Sequence, residues 1–138
     1  MNAHVLSSPL RFAGYAALFH QPDGAQDIIL PGAFLGSLAE RTGPLPLFWQ
    51  HRPEMCIGSV ERVCEDNRGL QVIARIDNPR GRAASLLRSH TATGLSFGYR
   101  ARAFRHQKQH RLLEMIDIFE ISLVTHPLQP AARVHLVA

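Results

Sequence analysis

Several things are scarce in this sequence. Among 138 residues there are two cysteines, one tryptophan and, in Lys108, a single lysine. Cys56 and Cys64 lie eight residues apart along what reads as one strand. At roughly 3.3 Å per residue they stand too far apart for a disulfide, and the expectation is two reduced, buried thiols in a reducing compartment. No apolar run approaches the roughly 18 residues of a membrane span. The first nineteen residues are interrupted by Arg11 and read as neither a signal peptide nor an anchor. Internal repeats, low-complexity tracts and linkers are missing as well. Charged residues make up only 19% and apolar ones 46%, the balance of a chain that folds. The length suits one domain, 1–138, with a core at about 12–132, able to bury that core without disulfides or metal.

With lysine nearly absent, the formal net charge of +4 is carried by arginine. Such a balance permits an acidic partner without being a nucleic-acid signature. Part of the excess falls in "RARAFRHQKQHR" (100–111), read as a solvated hairpin tip. A small nucleic-acid-binding barrel using this tip is a poor reading, because the interleaved exposed aromatics of such platforms are lacking.

What is present is mostly strand. "FAGYAALF" (12–19) reads as a strand ended by turn chemistry, and "DIIL" (27–30) as a short second one. "PGAFLGSLAER" (31–41) places Phe34, Leu35, Leu38 and Ala39 on one helical face. "PLPLFWQH" (44–51), punctuated by prolines, suits an edge strand. Residues 57–66 and 69–77 alternate around "DNRG" as a hairpin. "NPRGRAASLLRSH" (78–90) reads as a helix capped by Asn78 with Pro79 in its first position. Two long strands follow, joined by the basic tip, and a short tail. The expected class is α+β, with a sheet curled toward a barrel.

Chemistry is suggested at three places. In "GLSFGY" (94–99), Leu95, Phe97 and Tyr99 share one strand face, and Ser96 and Gly98 the other. Two glycines beside a serine give an incoming peptide backbone room to approach, although from this segment alone a plain surface serine on an ordinary strand is the better reading. A hydroxyl needs a base to become a nucleophile. Of eight histidines, His51 ends an apolar stretch and so is both held and accessible, but a histidine with one satisfied hydrogen bond fits the same pattern. His4, His20 and His135 fall in expected loops or termini, and His90 ends a helix. His106 and His110 have metal-pair spacing but no helix or carboxylate pattern, so no metal site is expected. In "DIFEISLVTHP" (117–127), alternation puts Glu120, Ser122, Val124 and His126 on one face, and Phe119, Ile121, Leu123 and Thr125 on an apolar core face. Glu120 in such surroundings asks for a partner, either an arginine or an imidazole whose tautomer it fixes. Glu120 and His126 are roughly 20 Å apart along an extended strand, so only one can meet His51.

The ordered set "DIILPGAF", "QHRPEMCIGSV", "GLSFGY" and "FEISLVTHPLQPAA" resembles the prohead maturation proteases of HK97-type tailed phages and gene transfer agents, from about Phe12 to Ala132. The resemblance implies a small, mostly antiparallel β-barrel flanked by about two helices, similar to the herpesvirus assembly proteases. It implies a serine endopeptidase, without metal or organic cofactor, acting inside an assembling prohead in the bacterial cytoplasm. Its substrate would be scaffold or the amino-terminal segment of the major capsid protein; the chain stops soon after the domain, which points to a separate scaffold or to that segment. A homo-oligomer is implied, and membrane or nucleic-acid partners are not. The family's serine falls on Ser96, its histidine on His51 and its acidic residue on Glu120. The herpesvirus relatives' Ser-His-His arrangement keeps His126 as the rival third member. Arg52 stands where the family often has an acidic residue, and "PLQP" replaces a closing "PxNP". Arg100 and Arg102 are candidates for steadying an oxyanion through a water. The alternative is a non-catalytic capsid-assembly protein binding scaffold on the same fold.

Overall fold

A computed structural model describes residues 8–138; His4 lies outside them. Eight strands and two helices occur among the described residues: β1 (Leu10–Leu18), β2 (Asp27–Ile29), α1 (Leu35–Glu40), β3 (Pro46–Trp49), β4 (Arg52–Glu65), β5 (Gly69–Ile76), α2 (Arg82–Arg88), β6 (Gly94–Gln107), β7 (His110–Val124) and β8 (Val134–Val137). They form one sheet in the order β2-β7-β3-β4-β5-β1-β8, with β6 on the other edge of β7. Five pairings are antiparallel; β2 and β3 both run parallel to β7. The sheet curls, and residues 132–134 tie its two ends. Tyr15 N–H donates to the Arg133 carbonyl, Leu95 N–H to that of Ala132, and Val134 N–H to that of Thr93. No helix among the described residues is long and apolar enough to cross a membrane.

Leu47, Leu70, Val72, Leu95, Ile121 and Leu123 are buried in the core enclosed by the curl. β7 is its hub because it meets β6 along one edge and β2 and β3 along the other. β3 is therefore an interior strand, not the edge its prolines suggested. Pro46 opens the strand, and the pairing with β7 begins only at Leu47, so the missing N–H costs no parallel-ladder bond. The short tail is likewise a strand: β8 pairs with β1, and the His135 ring packs edge-on to Tyr15 at 6.0 Å rather than lying in a loop. α2 begins three residues later than expected. Asn78 accepts from Arg80 N–H in a turn of its own, and Gly81 is the residue that caps the helix. Cys56 and Cys64 are both free on β4, as expected, but Cys56 is exposed and Cys64 half-buried.

The long β6–β7 hairpin carries a bulge that sequence alternation missed. Gly98 pairs with Glu120 and Tyr99 with Ile118, leaving Phe119 as the extra residue. One extra residue reverses the inward set. Ile121 and Leu123 point into the core above the bulge, Ile116 and Ile118 below it, and Phe119, expected in the core, is 51% exposed. Near its tip the hairpin is fastened to β2 by a half-buried ion pair. Arg111 Nε and Nη2 donate to Asp27 Oδ1 and Oδ2 at 2.8 and 2.9 Å, and Tyr99 OH donates to Oδ2 at 2.8 Å. The guanidinium hydrogen bonds hold the Asp27 carboxyl below the usual carboxylate range against the opposing effect of burial. Just before β2, in the turn that leads into it, burial pushes the Asp23 carboxyl up, although its Oδ1 accepts from Ala25 and Asp27 N–H.

Candidate active site

The β3–β4 hairpin turns in two residues. Trp49 pairs with Arg52, and Gln50 and His51 between them both have positive φ, +53° and +61°. Such a turn normally asks for Asn-Gly or Gly-Gly. Side-chain-bearing residues at both positions are strained by on the order of 1–3 kcal/mol each, and the neighbouring strand holds them there. Gln50 N–H donates to the Leu123 carbonyl at 3.1 Å. The Gln50 amide exchanges two hydrogen bonds with Thr125, its Nε2 donating to Oγ1 at 3.1 Å and its Oε1 accepting from the Thr125 N–H at 3.2 Å. His51 N–H donates to Ser122 Oγ at 3.1 Å. The turn is thereby pressed onto β7, with the imidazole half in solvent, its side chain 44% exposed.

His51 Nδ1 lies 2.6 Å from Glu120 Oε1. An ionised carboxylate only accepts, so this contact keeps a proton on Nδ1 and leaves Nε2 as the basic nitrogen. The other carboxylate oxygen, Oε2, accepts from the Ser122 hydroxyl at 2.6 Å. Glu120 is 7% exposed, and its surroundings are the polar pocket that its sequence context called for. His126 is exposed beyond the end of β7 and makes no hydrogen bond to His51 among the described residues. Of the two candidates for the imidazole's partner, Glu120 is the one in contact.

Ser96 stands directly opposite Ser122 in the β6–β7 register, as Gly98 stands opposite Glu120. Opposed residues keep their Cβ atoms about 4.5–5.5 Å apart on one face, so Ser96 borders the His51–Glu120–Ser122 network from the adjacent strand. Among the described residues no hydrogen bond yet joins its hydroxyl to the imidazole. Ser122 is the competing hydroxyl, but it is 0% exposed and its proton already goes to Glu120; Ser96 retains 8% exposure. Of the two hydroxyls on this face, that of Ser96 is the one not committed to Glu120 and not wholly enclosed.

The glycines around Ser96 do something other than admit a substrate. A Cβ on Gly98 would lie 2.7 Å from Glu120 Oε1 and 3.0 Å from its Cγ. On Gly94 it would meet Pro127 Cδ at 2.6 Å and the Val124 carbonyl at 2.9 Å. Gly98 makes room for the molecule's own carboxylate, and Gly94 for the chain leaving β7. Arg100 and Arg102 both pair with Asp117, at 3.1 and 3.4 Å, and Arg102 also reaches Glu40 at 3.8 Å. Arg52 is exposed at the start of β4, immediately after the histidine.

A hydroxyl bordering a histidine–carboxylate pair on a curled sheet is the setting in which the family match takes its meaning. Residues 4–138 match the family described as caudovirus prohead serine protease. The chain belongs to that family. It is 36% identical over 92 residues to the prohead protease of Enterobacteria phage HK97, an alignment spanning 64% of this chain and 41% of that protein, so this chain matches less than half the relative's length. Among solved structures, KSHV protease in complex with a hexapeptide phosphonate inhibitor is similar over 95% of this chain and 65% of its own, with a TM-score of 0.68 at 18% identity. The bacteriophage T4 capsid assembly protease, gp21, is similar over 90% and 86%, with a TM-score of 0.66 at 11% identity. At such identities these two likenesses establish the fold: a mostly-strand, curled sheet with few helices.

The sequence brought out Ser96, His51 and Glu120, and all three lie on or beside one stretch of β6 and β7. It missed the active part played by Ser122 and by the Gln50–Thr125 clamp. Ser122 was visible only as one more residue on the Glu120 face. A Gln-His pair carries none of the usual signals for a two-residue turn.

Proposed function

We propose that this protein is a serine endopeptidase of prohead maturation, with Ser96 as nucleophile, His51 as general base and acid, and Glu120 as the group that orients His51. The observation that carries the reading is the 2.6 Å contact of Glu120 with His51 Nδ1 on the face that Ser96 shares. Ser96 Oγ attacks the scissile carbonyl carbon while Nε2 of His51 takes its proton. The tetrahedral intermediate collapses, the C–N bond breaks, and the imidazolium returns the proton to the leaving amine. Water, deprotonated in turn by Nε2, then cleaves the acyl-enzyme ester and restores the serine. Glu120 keeps the proton on Nδ1 and offsets the imidazolium charge in both halves. None of these steps calls on a metal or organic cofactor.

The proposed substrate is scaffold protein or the amino-terminal segment of the major capsid protein, met inside the assembling prohead in the host cytoplasm. Self-association of the protease, which would couple activity to its local concentration, belongs to the same proposal. Closure of the sheet into a small barrel would run through residues 132–134, which already hydrogen-bond to both ends. The competing reading, a non-catalytic assembly protein, draws on the Ser96–His51 hydrogen bond being unformed. Such contacts often tighten only with substrate in place.

Co-expression with the adjacent capsid protein separates the two. With wild type, the capsid protein loses mass; with Ser96→Ala it keeps its full mass, while the melting temperatures of the two proteases agree within about 2 °C, as expected when a small hydroxyl without a hydrogen-bond partner among the described residues is removed. Equal trimming by Ser96→Ala removes the proposal.

A further inference from the structure

Ser122 is the most deeply buried polar residue of the chain's described part, and its hydroxyl bonds both the backbone of His51 and the carboxylate that holds the His51 imidazole. Its hydroxyl proton goes to Glu120 Oε2 at 2.6 Å. Its oxygen accepts the backbone N–H of His51 at 3.1 Å. One side chain thus holds the histidine twice, once through its backbone and once through its carboxylate. The backbone bond matters because His51 sits at φ +61°, a conformation that a residue with a side chain leaves unless its surroundings hold it. The carboxylate bond matters because Glu120 Oε1 is already engaged by Nδ1, and a carboxylate anchored at one oxygen only can pivot.

Resting on the hydrolase reading above, we infer that Ser122 is a positioning residue: it locks the left-handed His51 turn and the Glu120 carboxylate into one rigid unit, so that Nε2 faces Ser96. It is not itself a nucleophile. Being 0% exposed, it touches no substrate. Its place opposite Ser96 in the register makes the unit span two strands and a turn: β6 bearing the nucleophile, β7 bearing the carboxylate and the lock, and the β3–β4 turn bearing the base. The Gln50–Thr125 clamp holds the same turn one residue earlier, by its side chains and without touching the imidazole's partner.

The test uses Ser122→Ala in two backgrounds. In the active protein, on the peptide spanning the junction that wild type cuts, kcat falls roughly 10- to 100-fold with KM within about twofold, the size expected for a reacting group displaced by an ångström or so. In the Ser96→Ala background, which needs no turnover, hydrogen exchange at the His51 amide speeds up at least about tenfold, as for a backbone donor that has lost its acceptor. Ile116→Ala serves as the control, a cavity variant lower on the same strand. It loses stability but keeps kcat and the His51 exchange rate. Unchanged kcat in Ser122→Ala, or unchanged exchange at His51, overturns the inference. Failure of the hydrolase reading looks different, because then Ser96→Ala itself goes on cutting.

Discussion

Two buried carboxylates are held against the same β6–β7 hairpin, and they are engaged in opposite ways. Asp27 grips the tip end: the guanidinium of Arg111 takes both its oxygens and Tyr99 adds a third hydrogen bond. Glu120 works at the other end, with an imidazole on one oxygen and a serine hydroxyl on the other. Arginine never gives up its proton in a folded protein, so the Asp27 pair can only be a strut. On the proposed reading the Glu120 pair differs because its partner is an imidazole, a group that can act as general base and acid. Burial alone does not mark a carboxylate as catalytic. The partner's ability to change charge does.

The largest expected contrast comes from neutralising each carboxylate in place. Glu120→Gln leaves an amide that no longer selects the productive tautomer, and kcat/KM falls on the order of 100- to 10,000-fold. His126→Gln, in an exposed residue without contact to the imidazole, stays within about twofold, the range of an ordinary surface substitution. Steady-state cleavage of a junction peptide measures both. A larger loss in His126→Gln would move the third role there and make the Glu120 contact a structural one like that of Asp27.

Next in size is Gly98→Ala. The added methyl would press on Glu120 Oε1 at 2.7 Å, the far end of a side chain that His51 and Ser122 already hold. The carboxylate yields, and activity drops roughly 10- to 100-fold with little change in unfolding midpoint. Gly94→Ala acts in the reverse sense. Its methyl meets the Pro127 ring and the Val124 carbonyl, which cannot swing aside, so the damage falls on stability. Thermal denaturation beside peptide cleavage tells them apart. A fully active Gly98→Ala would mean that the carboxylate has slack.

Most strands and both helices were legible because alternation and turn residues speak locally. "DNRG" made the β4–β5 hairpin plain: Asp66 Oδ1 accepts from Arg68 and Gly69 N–H. Ser96, His51 and Glu120 were legible partly because burying a carboxylate demands a reason and partly through family likeness. The failures share one cause, since each depends on a neighbour distant in sequence. Whether a proline-bearing strand is an edge depends on what pairs beyond it, and β7 comes more than sixty residues after β3. The Phe119 bulge exists only as a mismatch between two strands, and parity counted along one strand cannot detect it. Gly98 was read as room for an incoming peptide because the side chain it accommodates, Glu120, sits on the next strand. Gln50 and His51 adopt left-handed conformations that nothing in a Gln-His pair announces; tertiary hydrogen bonds impose them.

The smallest effect is the most direct measure of the strut. Asp27→Asn keeps the shape, loses the charge and destabilises the fold by about 2–3 kcal/mol, less than the 3–5 of a fully buried pair because Arg111 is 35% exposed and water takes over part of its solvation. Its pH dependence has a fixed sign. The Arg111 hydrogen bonds depress the folded-state pKa of Asp27 below its unfolded value of about 3.9. The stabilisation is therefore complete above about pH 5 and is lost as pH falls through the folded value. Asp23, pushed up by burial, runs the other way: its contribution is present at low pH and lost as pH rises through its raised value. Urea unfolding of wild type and Asp27→Asn between pH 3 and 7 reads chiefly the loss of the Asp27 charge, because Asp23 is raised first by burial, which the substitution keeps, and only secondarily by the Asp27 charge. The gap between the two proteins should be widest at neutral pH and narrow toward pH 3, with cleavage by Asp27→Asn unchanged at neutral pH. A gap independent of pH would mean that Asp27 contributes by shape and not by charge. Loss of cleavage at neutral pH would mean that the two carboxylates are coupled along the hairpin, and the division between strut and relay would fail.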